Sequence, residues 1–457
     1  MSKKNNSIIS SKISLVGSGN HFDYKAICVF SALGFFLDDD TYFLGQKALR
    51  SATNYEIISN EIVETKPYFQ WNYNPRDISL KLATDEFTQL FESIVKEQTQ
   101  GRKVILPLSG GLDSRTQAAA LKNIDADVNA YSYSFHNGHD ETVYSRKIAE
   151  VCDFPFKKFT IESGYLWDHI DRLAEINQCY SEFTHPRQMA FVDEYAQMGN
   201  VFSLGHWGDV LFSDMGVPDD LPFQNQIDVI LKKIIKKGGQ ELAEALWTEW
   251  RLEGNFMEYL RSRIEELLLK IDIPHSANAR IRAFKSKFWA PRWTSVNLSI
   301  FESVRPITLP YYDNRMCEFI CTVPEKHLAG RQIQIAYLKL RAPELAKITW
   351  QANRPYNLYN YSKNRFPFNL PYRLFDKAKR ILNQRTLIQR NWELQFIGPK
   401  NKVQLENRIF HNPDFAKFIS PELTESFYQK FLNEDAVKYA HTVSMLLTFG
   451  LFSNLKR

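Results

Sequence analysis

The chain has 457 residues, is 44% hydrophobic and 24% charged, and carries a formal net charge of +5 at pH 7. That length leaves room for two or three domains, and so mild a basicity does not call for nucleic acid as a partner. No apolar run is long enough for a membrane span, Met1–Lys12 is too polar for a secretory signal, and five cysteines without a CxxC pair fit a reducing cytoplasm rather than a disulfide framework or a zinc site.

Residues 1–20, rich in Ser, Asn and Lys, read as a flexible tail. Residues 21–75 read as a small β-rich unit. Its strands are expected at Cys28–Phe30 and Phe35–Leu37, with a turn at Asp38–Asp40 and a return strand at Thr41–Leu44. Lys81–Lys96 has the spacing of an amphipathic helix, with Phe87, Leu90, Phe91, Ile94 and Val95 on one face and Gly101 beyond its end.

Strands and helices then alternate. Strands are expected at Lys103–Leu108, Val128–Phe135, Phe156–Ile161 and Val201–Leu204. Helices are expected at Ser114–Asn123, Glu141–Val151, Leu166–Ile176 and Arg187–Ala196. The alternation predicts an α/β domain, residues 76–345, with a parallel sheet covered on both faces and ligands beyond the C-terminal strand ends. From Gln224 the chain reads almost wholly helical, through a loop-like, aromatic Pro355–Pro371, into a helical region over 346–457. Cys317 and Cys321, four apart on a helix, read as two buried small residues, the alternative being a shared metal. Lys232, Lys233, Lys236 and Lys237 read as a solvated helix face or a partner site.

The most informative stretch is Leu108–Ser109–Gly110–Gly111–Leu112–Asp113–Ser114, between an apolar strand and a helix. Adjacent glycines let the backbone turn tightly and approach an anion, and the N–H groups of the loop and helix N-terminus favour negative charge there. Ser109 and Ser114 add hydroxyl donors, and Ser114 or Asp113 can cap the helix. A carboxylate at Asp113 suits a magnesium ion that bridges phosphate oxygens. A bare strand-to-helix turn with a good cap is the plainer alternative. The loop is neither a P-loop, lacking Gly-Lys-Ser/Thr, nor a GxGxxG dinucleotide fingerprint. At the next suitable strand end stands Ser203–Leu204–Gly205–His206–Trp207–Gly208–Asp209–Val210–Leu211–Phe212, with a second carboxylate to face Asp113.

LSGGLDS resembles the pyrophosphate-binding loop of the ATP pyrophosphatase (PP-loop) superfamily. With its flanks it looks like the synthetase domain of the asparagine synthetase family, which includes β-lactam synthetases. The resemblance implies an adenine nucleotide α-hydrolase-like (HUP) fold, ATP and Mg²⁺. It places Leu108, Ser109, Gly110, Gly111, Asp113, Ser114, Ser134, Leu204 and Gly205 around the nucleotide, with backbone contacts to adenine from Tyr131–Ser134, and Asp113 and Asp209 on the metal. His206 stands where the family has a catalytic glutamate; it can act as a general base towards an amine or be a structural histidine. Val210 and Ser213–Asp214 also depart from the family pattern, which suggests a substrate other than aspartate. Glu141, in His139–Asp140–Glu141, is a candidate acid near ATP or a plain helix N-terminal carboxylate.

Val304–Asp313 resembles the family's "VRxPFLD", and Lys339–Leu340–Arg341 its "K…LR". The family's phosphate-binding lysine follows an Arg-Pro; here Arg354–Pro355 is followed by Tyr356, so Arg354 or Lys363 takes the role or it is missing. Ala32–Tyr55 looks like the last strands of the family's Ntn-type glutaminase domain. Met1 is followed by Ser2 rather than the nucleophilic cysteine, so glutamine hydrolysis within this chain is not expected.

The implied function is ATP-dependent amide formation. A substrate carboxylate becomes an acyl-adenylate with release of pyrophosphate, and an amine then displaces AMP. The amine would be ammonia from a separate source, a group on the same substrate, or a second small molecule. The competing readings are a PP-loop enzyme that modifies RNA, disfavoured by the lack of CxxC and of a basic surface, and a nucleotide-binding remnant that has lost its chemistry.

Overall fold

Val104, Ile105 and Leu106 are fully buried, as a central strand covered on both faces must be. They open β1 (Val104–Pro107), which is joined in one sheet by β2 (Val128–Phe135), β3 (Phe156–Ile161), β4 (Val201–Ser203) and β5 (Ile307–Thr308). The order is β3-β2-β1-β4-β5, with every neighbouring pair parallel. The succession therefore reverses direction between β1 and β4. In an open α/β sheet the crevice beyond the C-terminal ends at such a reversal is where ligands bind. The computed structural model describes residues 15–17, 19, 21–138, 140, 142–383 and 391–455.

β2 and β3 coincide with the expected strands, and β1 and β4 end a residue short of them. β5 is the strand that periodicity could not reveal, because two residues hold no pattern. Its place is set by tertiary bonds: Phe202 N donates to Pro306 O (2.9 Å), and Leu204 N to Thr308 O (3.0 Å). Arg305 clamps the approach, donating from Nε to Gly199 O and from Nη2 to Ala196 O, each at 2.9 Å. Arg187–Ala196, expected as a helix, is two short 3₁₀ turns, Arg187–Phe191 and Tyr195–Gln197.

The helix Leu80–Thr99 starts at a Ser79 cap whose Oγ accepts from Leu82 N (3.1 Å). Its buried face carries Phe87, Phe91, Ile94 and Val95 and packs against the helices Asp113–Asn123 and Gln332–Arg341. Tyr337 of the latter stands edge-on to Phe87 (5.5 Å) and donates its hydroxyl to Glu92 (3.0 Å). Arg341, from the K…LR segment, pairs with the same Glu92. Cys317 and Cys321 are buried on the helix Asn314–Thr322.

The N-terminal reading needs correction. Cys28–Phe30 is not a strand: it lies within the helix Tyr24–Leu33, and Phe35–Leu37 and Thr41–Leu44 form no ladder beyond a single Phe22–Phe43 bridge. Antiparallel strands do occur there, at Leu15–Val16 with Lys47–Ala48 and at Thr53–Ile58 with Glu61–Pro67. Every residue from Ala26 to Leu33 is buried, and a helix buried all round has no polar face to betray its period. The local signals were its ends: Asp23 accepts from Ala26 N (3.0 Å), and Gly34 closes the helix at φ 75°. This helix packs against Gly239–Glu249 and meets the C-terminal helix Ala436–Leu455, with Phe30 edge-on to Phe449 at 5.9 Å. Ala436–Leu455 is buried over most of its length, yet no helix among the described residues is long and apolar enough to cross a membrane.

Candidate active site

The loop after β1 is shaped by its serines. Ser109 N donates to Ser114 Oγ (3.0 Å), the two hydroxyls lie 3.0 Å apart, and Gly111 N donates to Ser109 Oγ (3.3 Å). Ser114 is thus spent on the loop, and the helix Asp113–Asn123 begins at Leu112 with no side-chain cap, contrary to the expected capping by Ser114 or Asp113. An uncapped N-terminus of an eleven-residue helix presents free N–H groups and the positive end of the helix dipole to whatever occupies the crevice. Leu108, buried, ties the loop to β2 through Leu108 N and Tyr131 O (2.8 Å).

The two glycines differ. A Cβ on Gly111 would meet only Ser109 Oγ, at 3.3 Å, so there is open space on that side of the loop. A Cβ on Gly110 would strike Gln351 (2.5 Å to Oε1) and Tyr144 (2.9 Å). Gly110 is closed over by Gln351, which accepts from Gly110 N at Oε1 (3.1 Å) and donates its own N–H to Gly110 O (3.2 Å). Arg115, a fully buried guanidinium, locks this arrangement. Its Nη1 donates to Leu345 O (3.3 Å) and Ile348 O (2.9 Å), and its Nη2 to Thr349 O (2.9 Å) and Gly110 O (3.1 Å). A buried charge is tolerable only when hydrogen-bonded in this way.

Asp113 sits at the centre. Gln334 Nε2 donates to its Oδ1 (3.0 Å) and to Tyr311 Oη (3.0 Å), and Tyr311 Oη donates to the Asp113 carbonyl (3.1 Å). Arg331 completes the shell, its Nη2 on Asp113 Oδ1 and its Nε on Gln334 Oε1 (2.6 Å). Burial pushes the Asp113 carboxyl up to about 6; the Arg331 charge opposes this and the nearby Asp209 charge adds to it. Arg331 holds its place at φ 66°, directly after Gly330 at φ 61°. A left-handed arginine is costly and persists only where surrounding contacts over-determine it.

From β4 the chain passes through Leu204, buried, and Gly205, whose Cβ would meet Gln117 Oε1 (2.8 Å) and Asp113 Cβ (3.3 Å). Gly208 lies closer still: a Cβ there would fall 2.3 Å from Asp113 Oδ1. Both glycines therefore let the β4 loop lie against the start of the Asp113 helix. Between them Trp207 adopts φ 75°, and Asp209 follows, exposed at the start of the turn Gly208–Leu211. His206 has its Nδ1 buried without a hydrogen-bond partner among the described residues, and burial pushes its pKa down to about 4, against the pull of Asp209. That differs from the near-neutral titration expected of a tuned base.

The structure thus gathers Ser109, Gly110, Gly111, Asp113, Ser114, Leu204, Gly205, His206 and Asp209 at one crevice. Ser134 is one residue from the end of β2. Arg354 and Lys363 lie on the following loop, Arg354 before a cis proline and Lys363 exposed in the turn Tyr361–Lys363. Glu141 lies outside the described residues, as does the tail up to residue 14. Sequence reasoning missed Arg331, Gln334, Tyr311 and Gln351. The Gly330–Arg331 pair between two helical stretches was the one local sign; the others carry none.

Among the described residues no three His, Cys, Asp or Glu gather to hold a metal. Two carboxylates at one crevice, with phosphate oxygens and water to fill the remaining positions, are nonetheless the usual donor set of magnesium. The half-buried, electrostatically crowded Asp113 is also a group whose ionised form a cation would favour.

A parallel sheet of this order with a glycine-serine loop at its reversal is the architecture of a PP-loop class α/β protein. The asparagine synthase family model matches residues 86–339, more than half of the chain, and the protein belongs to that family. It is accordingly an ATP-dependent enzyme of the amidoligase type. No curated protein matches the chain significantly. Among solved structures, an NMN synthetase from Francisella tularensis is 13% identical, covering 46% of this chain and 93% of its own, at a TM-score of 0.23.

Proposed function

We propose that the chain activates a substrate carboxylate with ATP and joins it to an amine. A carboxylate oxygen attacks the α-phosphorus, the bond to the β-phosphate bridge oxygen breaks, and pyrophosphate leaves with that electron pair. The amine nitrogen then attacks the acyl carbon, AMP departs, and the nitrogen loses a proton. The observation that carries this reading is the convergence of Asp113, from the helix after β1, and Asp209, from the turn after β4, beside an uncapped helix N-terminus.

The loop N–H groups and Ser109 would hold the pyrophosphate moiety, and the Gly111 side leaves room for it. Asp113 and Asp209 would hold Mg²⁺, which when bound neutralises phosphate charge. Arg331, rather than Arg354 or Lys363, is the cation in contact with Asp113, and it would meet charge that builds on the phosphates. His206, kept neutral by burial, is suited to orient the amine by hydrogen bonding. Positioning and charge neutralisation then supply most of the catalysis. The test is ATP–pyrophosphate exchange over a panel of carboxylates with the wild type, Asp113→Asn and Asp209→Asn. Carboxylate-dependent exchange lost in both variants supports the reading. ATP binding with no exchange for any carboxylate would leave a nucleotide-binding remnant.

A further inference from the structure

Near Asp209, whose charge Lys285 feels, lies a row of indoles. Residues Lys285–Thr294 form a wide, π-type helical segment interrupted by Pro291, which lacks the N–H a regular turn needs. Arg292, buried, ties it to the carbonyl oxygens of Asp38 and Asp40. Lys285, Trp289 and Trp293 recur every four residues along it, each half-buried. Trp207, of the β4 loop, stands edge-on to Trp289 at 6.2 Å, and Trp289 edge-on to Trp293 at 6.1 Å. Phe35 stacks on Trp289 at 6.0 Å and is fully buried, which makes the row rigid from behind. His185 meets Trp293 at 5.4 Å at the far end.

Two features of this row bear on what it could bind. The indole N–H groups of Trp289 and Trp293 are buried while both side chains are half-buried, so what the two residues expose is ring carbon rather than hydrogen-bond donors. The Lys285 ammonium lies over Trp289 (4.9 Å) and Trp207 (6.0 Å) and forms no hydrogen bond or ion pair among the described residues. Burial lowers its pKa, and the nearest charges felt are Asp209, Lys233 and Arg282. A desolvated cation over aromatic faces, at the end of the row next to the candidate metal carboxylate, is a place for an anion.

We propose that Lys285 with Trp289 and Trp293, backed by the buried Trp207, binds the carboxylate substrate, and that this substrate carries a flat apolar or aromatic body behind its carboxylate. Lys285 meets the carboxylate at the Asp209 end, where it must lie to reach the nucleotide. The body lies along the indoles, whose area and rigidity suit a planar group. A small, wholly polar acid such as aspartate would leave the indoles uncovered. The proposal rests on the carboxylate-activating reading for the fate of the carboxylate, but the binding itself needs no ATP.

The test is calorimetric titration of the full chain, without nucleotide, with 4-phenylbutyrate, with 4-phenylbutyramide and with aspartate, followed in parallel by intrinsic tryptophan fluorescence. Phenylbutyrate should bind at least about tenfold more tightly than its amide or aspartate, a difference of about 1.4 kcal/mol, and should perturb the fluorescence. Lys285→Met should erase the preference of acid over amide, and Trp289→Leu should weaken both. Equal affinity for acid and amide, preference for aspartate, absence of binding, or an unchanged preference in a folded Lys285→Met protein would each overturn the proposal. The acid–amide comparison on the wild type decides the matter should Lys285→Met fail to fold. Binding as expected without pyrophosphate exchange for any carboxylate would sink the adenylation reading and leave this one standing.

Discussion

Arg331 and Asp113, 218 positions apart in sequence, form an ion pair beside the glycine-serine loop after β1, and Gln334 bonds both partners. The pair joins the helix that follows β1 to the backbone break before the helix Gln332–Arg341. Arg331→Met should therefore lower ATP–pyrophosphate exchange by about a hundredfold, the scale of losing one preorganised charge-stabilising donor. Exchange at the wild-type rate in a folded Arg331→Met protein would reduce the arginine to a structural counter-charge.

Gln351 closes over Gly110 by two hydrogen bonds. Gln351→Ala frees the Gly110 N–H and should tighten pyrophosphate binding by about fivefold, roughly the net worth of one exchanged hydrogen bond. Calorimetry with pyrophosphate reads this directly, and unchanged affinity would mean that Gln351 only packs.

The two loop glycines should separate fold from function. Gly111→Val puts a side chain into the open space beside the loop, where the pyrophosphate would lie, and should abolish ATP binding with the melting temperature nearly unchanged. Gly110→Val must displace Gln351 and Tyr144, so it should destabilise the chain by about 1–3 kcal/mol, the usual cost of overpacking. Thermal melts and nucleotide titrations of both variants check the contrast. Tight ATP binding by a folded Gly111→Val protein would move the phosphates elsewhere.

His206 is held neutral, its pKa lowered to about 4 chiefly by burial. The amide-forming half-reaction should then show no inflection near pH 6.5 that His206→Ala removes. His206→Ala should impair amide formation and spare adenylation. A wild-type inflection near 6.5 lost in that variant would instead make His206 a base tuned near neutrality.

His441 gives a stability test far from the crevice. Its Nε2 donates to Ser31 O (2.9 Å), and burial lowers its pKa to about 4; Glu182 pulls the other way, while Lys236 and His185 reinforce the lowering. The unfolded chain binds this proton more readily between the unfolded value near 6.5 and 4. Stability from this group is thus full above about pH 6.5, falls as the pH drops through that window, and is lost by pH 4, on the order of 3 kcal/mol in all. Urea melts at pH 7 and pH 4.5 should show a smaller acid loss in His441→Asn than in the wild type. An equal loss in both would contradict the assignment.

The parallel sheet, the glycine-serine loop at its reversal and the aspartate at the next strand end were legible in the sequence. Each is written in neighbouring residues: alternating apolar strands and amphipathic helices, a Gly-Gly between serines, an aspartate at the next strand end. It misread Cys28–Phe30, because a helix buried on every side carries no periodicity to distinguish it from a buried strand. Only the tertiary structure decided which cation meets Asp113, that Gln351 closes over Gly110, and that Trp207, Trp289 and Trp293 stand in one row. Those relations join side chains from segments far apart in the chain. Their energies come from burial and hydrogen bonding across the fold, which no local pattern of residue types records.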